Sequence, residues 1–315
     1  MADTAERSQP GLNPAQQRAL DLLRTRGVDR PEFPAGLAEE LRGVVEDALC
    51  GALGQLDEPL WVGKFALGRV HGCEVRFLHE DGRTLTPGPA LVAGTVAHRA
   101  IQLSVTWRGD ASPLELVDAA VERIEADGDR DSRWLAQASP AEQAEVVGTA
   151  AERVGKFLEC FPPLRRTWAP ATESPLRALL ADGQVVLTGR VDLVLGRSQG
   201  MEAGKAFVDF KTGVPYLGHV EDLRFYALVE TLRLGVPPFR LASYYLDGAV
   251  LHCEDVTVDL LHAAARRVGE GVRKLVALRA GEREPVLRPG PGCRRCPLLA
   301  DCAEGRAHLA DEELG

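Results

Sequence analysis

The sequence has no uninterrupted apolar run near the ~20 residues a helix needs to span a bilayer. Its first twenty residues are polar and hold no apolar core of a secretion signal. A cytoplasmic protein with no membrane partner is therefore expected. No G-x4-G-K-[ST] phosphate loop occurs: Gly204-Lys205 is followed by Ala206, and no glycine stands at the required upstream spacing. That absence excludes a P-loop motor. Repeats and low-complexity stretches are also missing, which excludes a repeat array. The seven cysteines are an odd number in a chain without a secretion signal, and this argues against a disulfide framework.

What is present fits a soluble globular protein. The 315 residues suffice for one large domain or two ordinary ones, and 45% hydrophobic residues can supply a sizeable core. The net charge of −9 speaks mildly against nucleic-acid binding, but the charge is uneven. Residues 262–296 hold nine basic side chains (Arg266, Arg267, Arg273, Lys274, Arg279, Arg283, Arg288, Arg294, Arg295) against Glu270, Glu282 and Glu284. Such a stretch can meet phosphates or form a solvated helix face.

Residues 1–12 read as a loose tail, and Asn13-Pro14 opens a helix with Asn as N-cap and Pro at its first position. The phrase Leu12-Asn13-Pro14-Ala15-Gln16-Gln17 resembles the opening of superfamily 1 helicases, a reading that fails without the phosphate loop. A second helix is expected over 35–54 and a third over 91–107, where Gly94, His98, Ile101 and Val105 share a face. An acid-rich helical stretch follows over 113–160. Residues 184–196 read as a strand, with Val185, Leu187, Val191, Leu193 and Leu195 alternating against Thr188, Arg190 and Asp192. A hairpin loop from Gly196 to Gly204 leads to a strand over 205–211. A helix over 219–234, a strand over 239–247 and a helix over 256–280 complete the core.

The second strand carries chemistry. Alternation sends Phe207, Asp209 and Lys211 to one face and Val208 and Phe210 to the other. Asp192 lies on the polar side of the preceding strand, so a hairpin can bring Asp192 and Asp209 together. Two close carboxylates repel unless a cation joins them, and Mg²⁺ or Mn²⁺ favours such oxygen ligands. A lysine beside the metal would orient water or stabilise charge on phosphate. Taken alone, D-x-K also suits a surface ion pair, and His98 a packed histidine.

Taken in order, Gly94-x3-His98, Gly189-Arg190-Val191-Asp192 and Asp209-Phe210-Lys211-Thr212-Gly213 resemble the RecB-type branch of the PD-(D/E)XK nuclease superfamily. That branch includes the RecB and AddB nuclease domains and the CRISPR-associated RecB-like exonucleases. The likeness runs over roughly 70–303. It implies an α/β, restriction-endonuclease-like core with a mixed central sheet flanked by helices. It implies a helical region at 1–70, a nuclease domain at 71–303 and a C-terminal tail at 304–315. By matching position, His98, Asp192, Asp209 and the Phe210 carbonyl would bind Mg²⁺ or Mn²⁺, and Lys211 would be the catalytic lysine beside the catalytic carboxylates. The family's Q-x3-Y becomes Asp222-x3-Tyr226, so Tyr226 would help position DNA and Asp222 departs from the pattern. Glu173, where relatives often carry an acid, reads as a solvated loop position. The implied reaction is hydrolysis of DNA phosphodiesters, on single strands or ends, in repair or recombination, with a motor borrowed from a helicase or recombination partner. A catalytically silent DNA-end-binding scaffold remains the alternative.

Cys293-x2-Cys296-x5-Cys302 places three thiolates where they can chelate one metal centre, with a fourth ligand from elsewhere. The same family joins three such cysteines to one upstream of the motif histidine in a [4Fe-4S] cluster. That precedent makes Cys73 the fourth ligand, Cys50 the second choice, and Cys160 and Cys253 core thiols. A Zn²⁺ site on the same cysteines, in a nucleic-acid-binding module, stays open.

Overall fold

The computed structural model describes residues 11–24, 30–55, 58–83 and 86–314; the expected tail lies outside these as far as residue 10. Helix α1 (Pro14–Leu23) starts at Asn13, whose side chain accepts from the Gln16 amide while the Gln16 side chain accepts from the Asn13 amide. This reciprocal cap fixes the chain entry that Asn-Pro predicts. Then come α2 (Leu37–Leu49), β1 (Leu60–Val62), α3 (Lys64–His71), α4 (Glu74–Glu80) and α5 (Pro89–Ser104). The acid-rich stretch divides into α6 (Pro113–Asp127), α7 (Arg130–Gln137) and α8 (Pro140–Cys160). Ser112, Asp129 and Ser139 each cap a new start with a side-chain oxygen. The remaining elements are β2 (Ala171–Leu180), β3 (Val185–Gly196), β4 (Lys205–Lys211), α9 (Leu217–Leu234), β5 (Arg240–Tyr245), β6 (Val250–Asp255), α10 (Val258–Arg279) and α11 (Ala303–Leu314).

Two boundaries differ from the sequence reading. The division at 70 and 71 cuts through α3, and α2 packs against α10, so the N-terminal helices belong to the same body as the sheet. The segment expected as a C-terminal tail is helical as far as Leu314.

The sheet is mixed and runs β1-β3-β4-β5-β6, with β2 on the other edge of β3. β2 lies antiparallel to nearly all of β3. β1 pairs parallel with Val185–Leu187 and β4 antiparallel with Leu193–Gly196. Both therefore occupy one edge of β3, at opposite ends, and Thr188–Asp192 lies unpaired between them. This fork positions the site. β4 runs on past its last pairing with β3, so Asp209–Lys211 overhang the fork while still bonded to β5.

Alternation along β4 separates the two layers. Phe210 meets Phe157 of α8 and Tyr244 of β5 on one face. Lys211 meets Asp222 of α9 on the other. Helices α5 and α8 lie on the first face with α6 packed against them; α9 lies on the second, with α10, α2 and α3 packed against it. Both faces of β3 and β4 are buried, Val185, Leu187, Leu193, Phe207 and Val208 among them. Among the described residues, no helix is long and apolar enough to cross a membrane.

Candidate active site

The fork exists because the β3–β4 ladder stops one residue short of both aspartates. Leu193 pairs with Val208, and the next pair would be Asp192 with Asp209. Instead the Phe210 amide donates to Asp192 Oδ2 at 2.6 Å, so a side chain takes the place of a strand partner. A strand residue's N–H and C=O point to the same edge, so the Phe210 carbonyl faces the fork as well. From α5, His98 Nδ1 reaches to 3.5 Å from Asp192 Oδ1, and its ring stands edge-on to Phe210. Gly94, one turn earlier on α5, faces the Thr212 side chain. The motif histidine is thereby laid beside the Asp-x-Lys strand.

On the opposite face, Lys211 Nζ lies 2.6 Å from Asp209 Oδ2 and 2.8 Å from Asp222 Oδ2. Lys64, the first residue of α3, brings a second ammonium to 3.4 Å from Asp209 Oδ1 and 3.7 Å from Asp222 Oδ2. Asp209 is buried, which alone would push its carboxyl up, but Lys64, Lys211 and His98 more than offset this and hold it below the usual range. Burial likewise works against the charge on Lys64, and Asp209, Tyr226 and Asp222 outweigh it, so Lys64 stays protonated. His98 follows the same pattern: burial lowers its pKa, and the hydrogen bond and charge of Asp192 raise it above the ordinary histidine value.

All the sequence-predicted site residues of the core thus converge: His98, Asp192, Asp209, Phe210 and Lys211 meet at one fork. Tyr226 is beside it but is only 3% exposed, packed flat on β3 and beneath Lys64, whose Nζ is 4.9 Å from the ring centre. Burial lifts its phenol to about 12. From there the Tyr226 ring packs under the site and is turned away from solvent, unlike the exposed position expected of a residue that positions a ligand. Its seat requires Gly189, because a Cβ at that position would lie 2.4 Å from Tyr226 Cε1. Gly189→Ala should therefore cost about 1–3 kcal/mol, as over-packing of a filled core does. A chemical-denaturation midpoint indistinguishable from the parent would show that the tyrosine has room to move.

Sequence reasoning missed Lys64 and misplaced Glu173. Lys64 follows a three-residue strand too short to show periodicity. Glu173 lies within β2, not in a solvated loop, and bonds Arg190 at 3.2 Å. Its backbone is left-handed (φ 51°), where the β2–β3 register passes Asp192. A non-glycine residue held there stores backbone strain.

Four of the cysteines share one cavity. A cavity of about 800 Å³ is lined by Cys73, Cys293, Cys296 and Cys302, and also by Lys64 and Lys211. Cys50 does not line this cavity and is exposed at the end of α2. Backbone amides of Gly290 and Gly305 donate to the sulfurs of Cys293 and Cys302 at 3.4 and 3.3 Å. A Cβ on Gly305 would touch both of those sulfurs. Among the described residues, however, no three His, Cys, Asp or Glu side chains already form a group that could hold a metal ion. At the fork the reason is visible: lysine ammoniums supply the positive charge at Asp209, and the Phe210 amide occupies Asp192.

A mixed sheet opened at a fork, with two carboxylates, an imidazole and a lysine at the opening, has the layout of a hydrolytic nuclease. The chain belongs to the PD-(D/E)XK nuclease superfamily, whose family model matches residues 66–303. It is similar in structure to the protein SSO0001, at 13% identity over 85% of this chain and 97% of that one, with a TM-score of 0.36. It is also similar to a candidate exonuclease from Eubacterium rectale, at 15% identity over 79% of this chain and 88% of that one, with a TM-score of 0.39. No curated protein matches the chain closely.

Proposed function

We propose that the chain is a metal-dependent DNA nuclease that acts on single strands or exposed ends, in DNA repair or recombination, beside a helicase or recombination partner. The observation that carries this reading is the meeting of His98, Asp192, Asp209 and Lys211, from three separate segments, at one sheet fork. The donors suit Mg²⁺ or Mn²⁺: two carboxylates, a backbone carbonyl and an imidazole. Asp209 Oδ2 adds a specific sign of fit: it is buried and draws a cation, Lys211 Nζ, to 2.6 Å. Bound there by His98, Asp192, Asp209 and the Phe210 carbonyl, the ion would polarise the phosphate and lower the pKa of the attacking water. Lys211 would face the developing charge on phosphate, Asp222 would hold Lys211 in place, and Asp192 would keep the fork open by occupying the Phe210 amide.

For the cysteines, the proposal is a [4Fe-4S] cluster on Cys73, Cys293, Cys296 and Cys302, with Zn²⁺ as the alternative. What supports it is the placement of all four on one cavity and the two amide N–H groups donated to sulfur.

The test is cleavage of end-labelled single- and double-stranded DNA with Mg²⁺ or Mn²⁺. Cleavage of the single strand from an end is expected. Binding without cleavage under every metal would instead identify a silent end-binding scaffold. His98→Ala should lose activity in Mg²⁺ and regain part of it at high Mn²⁺, because only one donor of the proposed set is removed. A loss of metal-free DNA affinity with normal rates at saturation would make His98 a substrate contact instead.

A further inference from the structure

Beside the fork, several large apolar side chains face solvent. Phe65 is 73% exposed on the first turn of α3, directly after Lys64. Tyr216 is 58% exposed at the start of α9, five residues after Lys211. Both line the cavity that Lys64 and Lys211 enter. An aromatic ring left in water beside an active site is a cost to folding that a ligand can repay.

The arrangement around Lys64 says what ligand that is. Its ammonium lies between two rings, 5.4 Å from the Phe65 centre and 4.9 Å from that of Tyr226. Lys64 thus contacts the exposed Phe65 ring and the buried Asp209 at once. Of the two lysines, Lys64 is the looser: its carboxylate contacts are 3.4 and 3.7 Å, against 2.6 and 2.8 Å for Lys211. Its charge is the more available to an incoming anion. Tyr216 lies with its ring edge over Gly218 and stands edge-on to the His219 ring at 5.5 Å. Arg267, paired with Glu221, and Arg288 also line this cavity.

A ring paired with a cation, with a second exposed ring and further basic side chains on the same cavity, is complementary to an unpaired polynucleotide: bases have faces to stack and phosphates have charge. A duplex hides its base faces in its own stack. We propose that Phe65 and Lys64 form a nucleotide-positioning unit for single-stranded DNA, in which a base stacks on Phe65 and the adjoining phosphate meets Lys64 at the fork, with Tyr216 as the facing platform. This rests on the nuclease reading of the same site and adds the residues that would hold the unpaired strand there.

The experiment compares full-length parent and Phe65→Ala protein, in EDTA, for binding of labelled oligothymidylate and of an abasic phosphodiester strand of equal length. Unchanged melting confirms the fold, as the exposure of Phe65 leads one to expect. Phe65→Ala should weaken oligothymidylate binding roughly tenfold, the size of one lost base–aromatic stack, and leave abasic binding nearly unchanged. Phe65→Trp should restore the affinity. Equal loss on both strands, or no loss on either, overturns the proposal. Cleavage by the parent with Mn²⁺ is scored separately. Ring-dependent binding without cleavage would keep the platform and overturn the nuclease reading; cleavage with no effect of Phe65→Ala would do the reverse.

Discussion

Lys211→Met and Asp209→Asn should each abolish cleavage, lowering the rate by at least a factor of about 10³ in metal-matched assays, since each removes a charge placed where the transition state develops its own. The two variants should differ in stability. Lys211→Met leaves Asp209 paired with Lys64 at 3.4 Å, so the buried carboxylate keeps a counter-charge. Asp209→Asn leaves two ammoniums, Lys64 and Lys211, sharing Asp222 alone. Removing one partner from a buried charge group is strongly destabilising, and about 3 kcal/mol is expected in EDTA for Asp209→Asn, with much less for Lys211→Met. Thermal melting with and without Mn²⁺ checks the order, because a bound divalent ion would stabilise the parent far more than Asp209→Asn. Parent-like rates in both variants would remove these residues from the active site.

What the sequence made legible was the part of the site carried by alternation and by short local motifs. Asp209 and Lys211 share a strand face because the side-chain period of a strand is two, and Asp192 follows from the same rule one strand earlier. The β4 limits, 205–211, could be read outright because apolar and polar residues fill them without a breaker. The three missed strands lack such a signal. β1 is Leu-Trp-Val and nothing more. β2 alternates buried Leu176, Ala178 and Leu180 with exposed residues but carries Pro175, which reads as a break and is tolerated only because β2 is an edge strand. β6 is half exposed, so its pattern is diluted. Lys64 was beyond reach for a different reason. Its role depends on β1 and β4 meeting the same edge of β3, which is a property of topology. Asp222 shows the same limit: it looks like a departure from the Q-x3-Y pattern until Lys64 is placed opposite, where a carboxylate bridges two lysines that a neutral amide could not neutralise.

If the proposed cluster is present, substitution of any one cysteine among Cys73, Cys293, Cys296 and Cys302 should release it from anaerobically purified protein and lower both stability and solubility, with nuclease activity lost as a consequence of loosening. The size of the effect should depend on which cysteine is changed. Cys293, Cys296 and Cys302 lie within ten residues of one another, so a metal held by them alone closes only short loops. Cys73 closes a loop of about 220 residues, worth about 5 kcal/mol in the chain-entropy model, a large part of a typical domain's stability. The protein already spans that gap by other means. Val286 N–H donates to the buried Glu74 carboxylate at 2.8 Å, and Arg283 pairs with the same group. Arg76 donates to the Gly292 carbonyl, and Arg279 makes two bonds to Asp81. Burial would raise the Glu74 carboxyl, but the Arg283 and Val286 hydrogen bonds and the Arg283 charge keep it below its ordinary pKa. Since closure entropy is lost once, Cys73→Ala should cost well under 5 kcal/mol while these contacts hold. Cys73→Ala combined with Glu74→Ala should cost more than the sum of the two. Cys160→Ala and Cys253→Ala should be mild and leave the metal in place; burial pushes the Cys253 thiol up to about 11, which suits a packed neutral thiol. Metal analysis decides the chemistry: near four iron and four sulfide per chain is expected, one zinc without iron would establish the zinc staple, and retention of the full cluster in Cys73→Ala would move the fourth ligand to another residue.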